Sequence, residues 1–323
     1  YYRAILFYYL KRMTQLKLST AILILTFANA AFAAPRKPIQ VFILAGQSNM
    51  EGHGAITANP EQNEGKGSLE YLVNDKATAE QYSHTINADG SWVKRDDVWI
   101  EYLGRKGKLS VGFGAREHLF GPEFQFGHVV GSHFKEQVLI IKTAWGGKSL
   151  AGDFRPPSSG GKVGPFYKQM VEHVNDVLDN IEKHFPDYRG QGFTIAGFGW
   201  HQGWNDGLKH DTVAQYEQNL VNLINDLRGA FDAPEMPVVI ANSGFGGVDQ
   251  KIDRRLGIIN AQLNVAKREE FKQSVFTVET RPFFRTPDVS PSRQGYHWNH
   301  NAETHFLIGD HMGKAMISLI QGN

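Results

Sequence analysis

The sequence predicts an α/β fold: a three-layer α/β/α sandwich on a doubly wound, mainly parallel five-stranded sheet. Two observations predict it. Five short runs are almost continuously apolar, as strands covered on both faces should be. Amphipathic helical patterns lie between most of them, the alternation that builds a parallel sheet.

The runs are 40–45, 137–144, 193–200, 237–242 and 275–279, each bounded by Gly, Pro or polar residues. Residues 165–185 place Phe166, Met170, Val174, Val177, Leu178 and Ile181 on one helical face behind Pro165, a residue suited to a first helical turn. Residues 211–230 repeat the pattern with Leu220, Leu223, Ile224 and Leu227, and Asp211 is the expected N-cap. Residues 251–268 and 302–320 complete the helical set. In such folds ligands bind at the carboxyl ends of the strands.

Residues 51–120 fit the alternation poorly. They are rich in Gly, Asn, Asp and Glu and read as an insertion after the first strand. Within it, 91–103 and 108–113 suit a hairpin with Gly104 and Gly107 near its turn. Residues 146–164, with their Gly-Gly and Pro-Pro pairs, read as a second long loop of the kind that carries binding function.

The first 34 residues are set apart from the fold. From Met13 the sequence reads as a secretory leader: Lys17, an apolar run from Ala21 to Ala28, then the small-x-small site Ala31-Phe32-Ala33. Cleavage is expected near Ala33 or Ala34, with residues before Met13 an upstream translation artefact and the product secreted or periplasmic. An uncleaved anchor is the competing reading, but the run is short of the ~20 residues a span needs. Residues 35–323 then form a single domain without stable membrane association.

The chain has 323 residues, enough for one well-filled core, and 34 Lys+Arg nearly balance 33 Asp+Glu. That balance supplies no basic face for nucleic acid. Cys is absent, which removes thiol nucleophiles, iron–sulfur clusters and thiolate zinc sites.

Ser48 follows the first strand directly, in Gly46-Gln47-Ser48-Asn49-Met50. A hydroxyl there points into the crevice, Gly46 permits a sharp turn, and a following helix would aim free N–H groups at an oxyanion. Taken alone, the position suits a capping serine better than a nucleophile. The α/β-hydrolase elbow, Gly-x-Ser-x-Gly, is broken by Met50.

The run resembles block I of the SGNH hydrolases, in the Gly-Gln-Ser variant typical of sialate O-acetylesterase-like proteins and related acetylxylan esterases. Phe120-Gly121-Pro122-Glu123, Trp200-His201-Gln202-Gly203 and Gly295-Tyr296-His297-Trp298-Asn299 are similar to the later blocks, in the expected order. The resemblance implies a serine esterase that removes O-acetyl groups from carbohydrate through an acyl-serine intermediate, with no metal and no organic cofactor. Ser48 is its nucleophile and His297 its base, with His300 as substitute. The implied oxyanion donors are the backbone N–H groups of Ser48 and Gly121 and the side-chain amide of Gln202, with Asn205 the alternative amide.

One departure stands out. The family usually keeps an Asp three residues before the histidine, and that position is Gln294. A Ser–His dyad, a carbonyl, Gln294 itself or a distant carboxylate would then orient the ring; Asp288, Glu279 and Asp206 are the carboxylate candidates, Asp288 being the possible third member. A metal site among the histidines is disfavoured because no carboxylate joins them at a ligand spacing. Trp145, Trp200, Trp204 and Trp298 offer faces for sugar rings or simply core packing. Arg281 and Arg285 suit an anionic sugar or a solvated edge. Two other classes stay open: a general short-chain ester hydrolase or lipase-like enzyme, and a non-catalytic carbohydrate-binding relative.

Overall fold

The computed structural model describes residues 36–322, so the expected leader lies outside the described residues. Its centre is strand β1 (Ile39–Gly46). The strand reads as one apolar run because both its faces are covered. Ile39, Val41, Ile43 and Ala45 point into one core, Phe42 and Leu44 into the other.

Six more strands extend the sheet: β2 (Arg95–Tyr102), β3 (Arg105–Leu109), β4 (Val138–Ala144), β5 (Phe193–His201), β6 (Val238–Ala241) and β7 (Val275–Val278). Their order is β3-β2-β4-β1-β5-β6-β7, and every pair is parallel except β2 with β3. The sheet therefore has seven strands, not five. The extra two come from the segment expected to be a mere insertion: its hairpin exists, and β2 pairs in parallel with β4, widening the main sheet. The polar start of β2, Arg95-Asp96-Asp97, hides it from an apolar scan. The turn is Leu103-Gly104, both at positive φ (+49° and +94°), as a two-residue hairpin loop requires; Gly107 lies within β3.

The long helices are α1 (Pro122–His133), α2 (Pro165–Asp179), α3 (His210–Ala230), α4 (Asp253–Val265) and α5 (Ala302–Gln321). The helix expected over 165–185 breaks at Asn180, and Ile181–His184 forms a separate turn. Lys209, not Asp211, caps α3; Asp211 sits in the first turn, where a negative charge favours the helix dipole. α2, α3 and α4 bury Met170, Val174, Leu220, Ile224, Ile258 and Val265 against one sheet face. On the other, α1 and α5 bury Phe126, Val130, Ile308, Met312 and Met316. These two helices pack very closely at Gly309, where a Cβ would lie 2.2 Å from the Pro122 carbonyl oxygen. No helix among the described residues is long and apolar enough to cross a membrane.

After β1 the chain moves to one side of the sheet, β2 to β4, then returns to place β5 on the other side of β1. The crevice at the carboxyl ends of β4, β1 and β5 lies at this switch, where doubly wound folds bind ligands.

Candidate active site

The exit of β1 is held to β5 at close range. A Cβ on Gly46 would fall 2.1 Å from the His201 carbonyl oxygen, so only glycine allows this approach. The Gln47 N–H donates to that same oxygen at 3.2 Å. Gln47 Oε1 then accepts from the N–H groups of Gly203 at 3.1 Å and Asn205 at 3.4 Å, tying the loops after β1 and β5 together. Ser48 opens a single helical turn, Ser48–Glu51, where its own N–H has no intrahelical acceptor.

Ser48, Glu51 and His53 line a cleft of about 310 Å³ with Gly146 and Gly147 after β4, Trp204 and Asn205 after β5, and Tyr296 and His297 before α5. Ser48 and His297 thus share one crevice although 249 positions (297 − 48) separate them. The second long loop, expected to carry binding function, contributes Gly146 and Gly147 to the lining.

The Ser48 turn is anchored from below by a buried ion pair. Lys142, in the middle of the apolar run of β4, is wholly buried and donates to Glu123 Oε2 (2.7 Å), the Glu51 carbonyl (2.6 Å) and the Phe113 carbonyl (2.7 Å). All three ammonium protons are therefore used. Burial lowers the Lys142 pKa, and Glu123 opposes the shift. The Tyr102 hydroxyl lies 3.2 Å from Glu51 Oε1 and 3.2 Å from the Ala144 carbonyl. Burial raises the Glu51 carboxyl above its ordinary value, opposed by Lys142 and Tyr102.

The histidine turn has a costly backbone. Trp298, Asn299 and His300 are consecutive at φ +53°, +55° and +58°. Left-handed geometry costs a non-glycine residue roughly 1–2 kcal/mol, so the surroundings must hold it. Trp298 is fully buried, and Asn299 Nδ2 donates to the Arg285 carbonyl at 2.9 Å. From the other side Asn49 Nδ2 donates to the Tyr296 carbonyl at 3.1 Å, fastening the turn to the Ser48 helix. No sequence signal announces three such residues, since none is glycine.

Gln294 occupies the place where a carboxylate was sought. Its Oε1 lies 3.3 Å from His297 Nδ1 and 3.1 Å from His300 Nε2 and accepts from both rings. His53 stacks on His297 with ring centroids 3.7 Å apart. Burial, with His300 adding to it, pushes His297 down to about 4. Burial also takes His53 to about 3, with His297 and His300 contributing.

Several of the expected site residues are engaged elsewhere in the structure. The Gly121 N–H donates to Glu123 Oε1 at 2.8 Å, so it is not free for an oxyanion. Gln202 is buried, and its amide nitrogen donates to the Lys148 carbonyl (2.9 Å) and Asp206 Oδ2 (2.6 Å); it organises the loop. Asn205 lines the cleft instead, with Nδ2 2.6 Å from the Gly147 carbonyl. None of the three carboxylates hydrogen-bonds His297. Asp288 is exposed on a surface turn, Glu279 is engaged by Arg281 and Asn242, and Asp206 is buried accepting from Leu150 and Ala151. Trp200 and Trp298 are fully buried core residues, and only Trp204 lines the cleft. Arg281 pairs with Glu279 and Arg285 with Glu303. The histidines also cluster more tightly than their spacing implies: His53, His297 and His300 each offer a ring nitrogen within 4.8 Å of the others.

Comparison with known proteins agrees with this architecture. The chain is similar to a probable carbohydrate esterase of Arabidopsis thaliana, At4g34215, at 23% identity over 227 residues, 70% of this chain and 77% of that one. The crystal structure of the Arabidopsis thaliana protein AT4G34215 superposes with a TM-score of 0.58 at 18% identity, covering 87% of this chain and 98% of that one. XAC1771, a carbohydrate acetylesterase from Xanthomonas citri, superposes with a TM-score of 0.55 at 11% identity, over 88% of this chain and 57% of that longer one. These two likenesses show the shared fold. The model of the carbohydrate esterase, sialic acid-specific acetylesterase family matches residues 38–318, nearly the whole described chain, and the protein belongs to that family.

Proposed function

We propose that this esterase removes O-acetyl groups from carbohydrate through an acyl-serine intermediate, with Ser48 as nucleophile and His297 as base. The observation that carries the reading is the shared cleft at the strand ends, lined by both Ser48 and His297 together with Gly147 and Asn205. Ser48 Oγ attacks the acetyl carbonyl while His297 Nε2 takes its proton; Gln294, accepting from Nδ1–H, keeps Nε2 as the basic nitrogen. The Ser48 N–H, the Gly147 N–H and Asn205 Nδ2 are the donors for the tetrahedral oxyanion. His297 returns the proton to the sugar hydroxyl as it leaves, and water resolves the acetyl-serine by the same route in reverse.

Asn205→Ala is expected to lower kcat by about 10²–10³-fold with little change in KM, the usual cost of one lost oxyanion donor. Unchanged kcat would return the role to another group.

The residues around the cleft support one substrate class over another. Trp204 and Tyr296 are among the residues that line the cleft, and their ring faces suit a sugar ring. Arg281 and Arg285 are committed to carboxylates, and Glu51 places an acidic group in the cleft. This favours neutral acetylated polysaccharide over sialic acid. The test is acetate release from acetylated xylan, O-acetyl sialic acid and acetylated pectin, alongside aryl esters of increasing chain length. Release from xylan foremost, with a sharp drop beyond acetyl on aryl esters, is the expected result. Faster turnover of longer acyl chains would point to a general ester hydrolase. A chain that binds glycan without releasing acetate would be a non-catalytic relative. A product secreted or periplasmic suits a polysaccharide substrate.

A further inference from the structure

We propose that His53, His297 and His300 form a binding site for a divalent transition metal, best suited to Zn²⁺, whose occupation withdraws His297 from catalysis. One ring nitrogen from each lies within 4.8 Å of the other two. A tetrahedral Zn²⁺ with Zn–N bonds of about 2.0–2.1 Å sets its ligand nitrogens on the order of 3.4 Å apart. The stacked His53 and His297 rings, 3.7 Å apart at 11° between planes, must turn so that their in-plane lone pairs converge; three histidines with an open fourth position are an established zinc geometry.

Gln294 prepares two of the ligands. Its Oε1 accepts from His297 Nδ1 and from His300 Nε2, so the opposite nitrogen of each ring carries the lone pair. Outer-shell acceptors that fix the tautomer in this way accompany most histidine metal sites. His53 supplies the independent observation: its Nε2 is buried with no hydrogen-bond partner among the described residues. A buried, unpaired ring nitrogen against two oriented imidazoles is a donor set waiting for an acceptor of lone pairs. Soft thiolate ligands are absent, and three imidazoles favour Zn²⁺, Ni²⁺ or Cu²⁺ over Mg²⁺ or Ca²⁺. His297 cannot hold a metal and accept the Ser48 proton through the same lone pair, so occupancy and turnover exclude each other.

The experiment titrates metal-stripped full-length protein with Zn²⁺ alone, by calorimetry and by competition with a chromophoric chelator. About one equivalent should bind. His53→Gln and His300→Gln should each weaken binding by more than the roughly 10–100-fold that an outer-shell change costs. Acetyl-ester turnover should fall in step with occupancy and recover on chelation. Absence of binding, binding unchanged in both variants, or full turnover at saturating Zn²⁺ would overturn the proposal. His300→Gln carries the test if His53→Gln fails to fold. The binding measurements need no substrate, so a chain that binds Zn²⁺ through these residues but releases no acetate would fail the esterase reading and leave the metal site standing.

Discussion

Ser48→Ala is expected to reduce acetyl-ester hydrolysis by about 10⁴-fold or more, because without the hydroxyl only oxyanion and binding contributions remain. His297→Ala should cost nearly as much, since nucleophile and base act as one unit and their losses do not add. Folding should survive the serine change. Ser48 is 8% exposed, and none of the cleft's hydrogen bonds runs through its side chain. Its backbone contributions, the N–H of the first helical position and the carbonyl that accepts from Gly52, are retained by alanine. An unchanged melting temperature with turnover lost locates the effect in chemistry. Normal turnover in Ser48→Ala would remove the acyl-serine mechanism altogether, and an inactive His300→Ala beside an active His297→Ala would move the base by three residues. The second result has a structural rationale, because Gln294 Oε1 touches both rings.

Part of this site was legible in the sequence, and the division has physical causes. A strand buried on both faces must be apolar at every position, so β1, β4, β5, β6 and β7 stand out. Lys142 shows the limit of that rule. It interrupts the apolar run Val138-Leu139-Ile140-Ile141-Lys142, and it is fully buried because Glu123, 19 positions away, meets it. That Ser48 and His297 share one cleft was legible because each follows or precedes an element in a recognisable block. The contacts made by the expected oxyanion donors were not. Gly121 and Gln202 have the right residue types in the right order, but a hydrogen-bond donor is useful only if it is free, and both are spent within the protein. Order along the chain carries no information about which donors have already found acceptors. Among the groups the sequence offered to orient His297, the neutral Gln294 at the family's own spacing is the one that touches the ring, and the candidate carboxylates do not.

Acidification is expected to destabilise this protein while His297, the proposed base, is still largely unprotonated. His201 is fully buried, with Nδ1 2.9 Å from the Ala241 carbonyl and Nε2 without a partner. Burial holds it down to about 4, against an ordinary value of 6.5. His305 is wholly buried, has neither ring nitrogen hydrogen-bonded among the described residues, and is pushed well below its ordinary value by burial and by the neighbouring histidines. In the unfolded chain both imidazoles take up protons near pH 6.5, while the native state refuses them. Stability is therefore intact above about pH 6.5 and falls as pH drops toward 4, each histidine contributing a slope of about 1.36 kcal/mol per pH unit. His201 alone removes on the order of 3 kcal/mol across that window, a large part of the ~5–15 kcal/mol that holds an ordinary domain together. His297, held down to about 4, would otherwise stay neutral and basic through the same window. The acid limit of activity should consequently track the loss of structure, and denaturant midpoints measured at pH 7.5, 6 and 5 should decline steeply. His201→Asn, which leaves nothing to protonate at that position, should flatten the decline by close to one proton. Equal midpoints at pH 7.5 and 5 would mean that these imidazoles find a proton-accepting environment in the native state, and the acid limb of turnover would then report His297 itself.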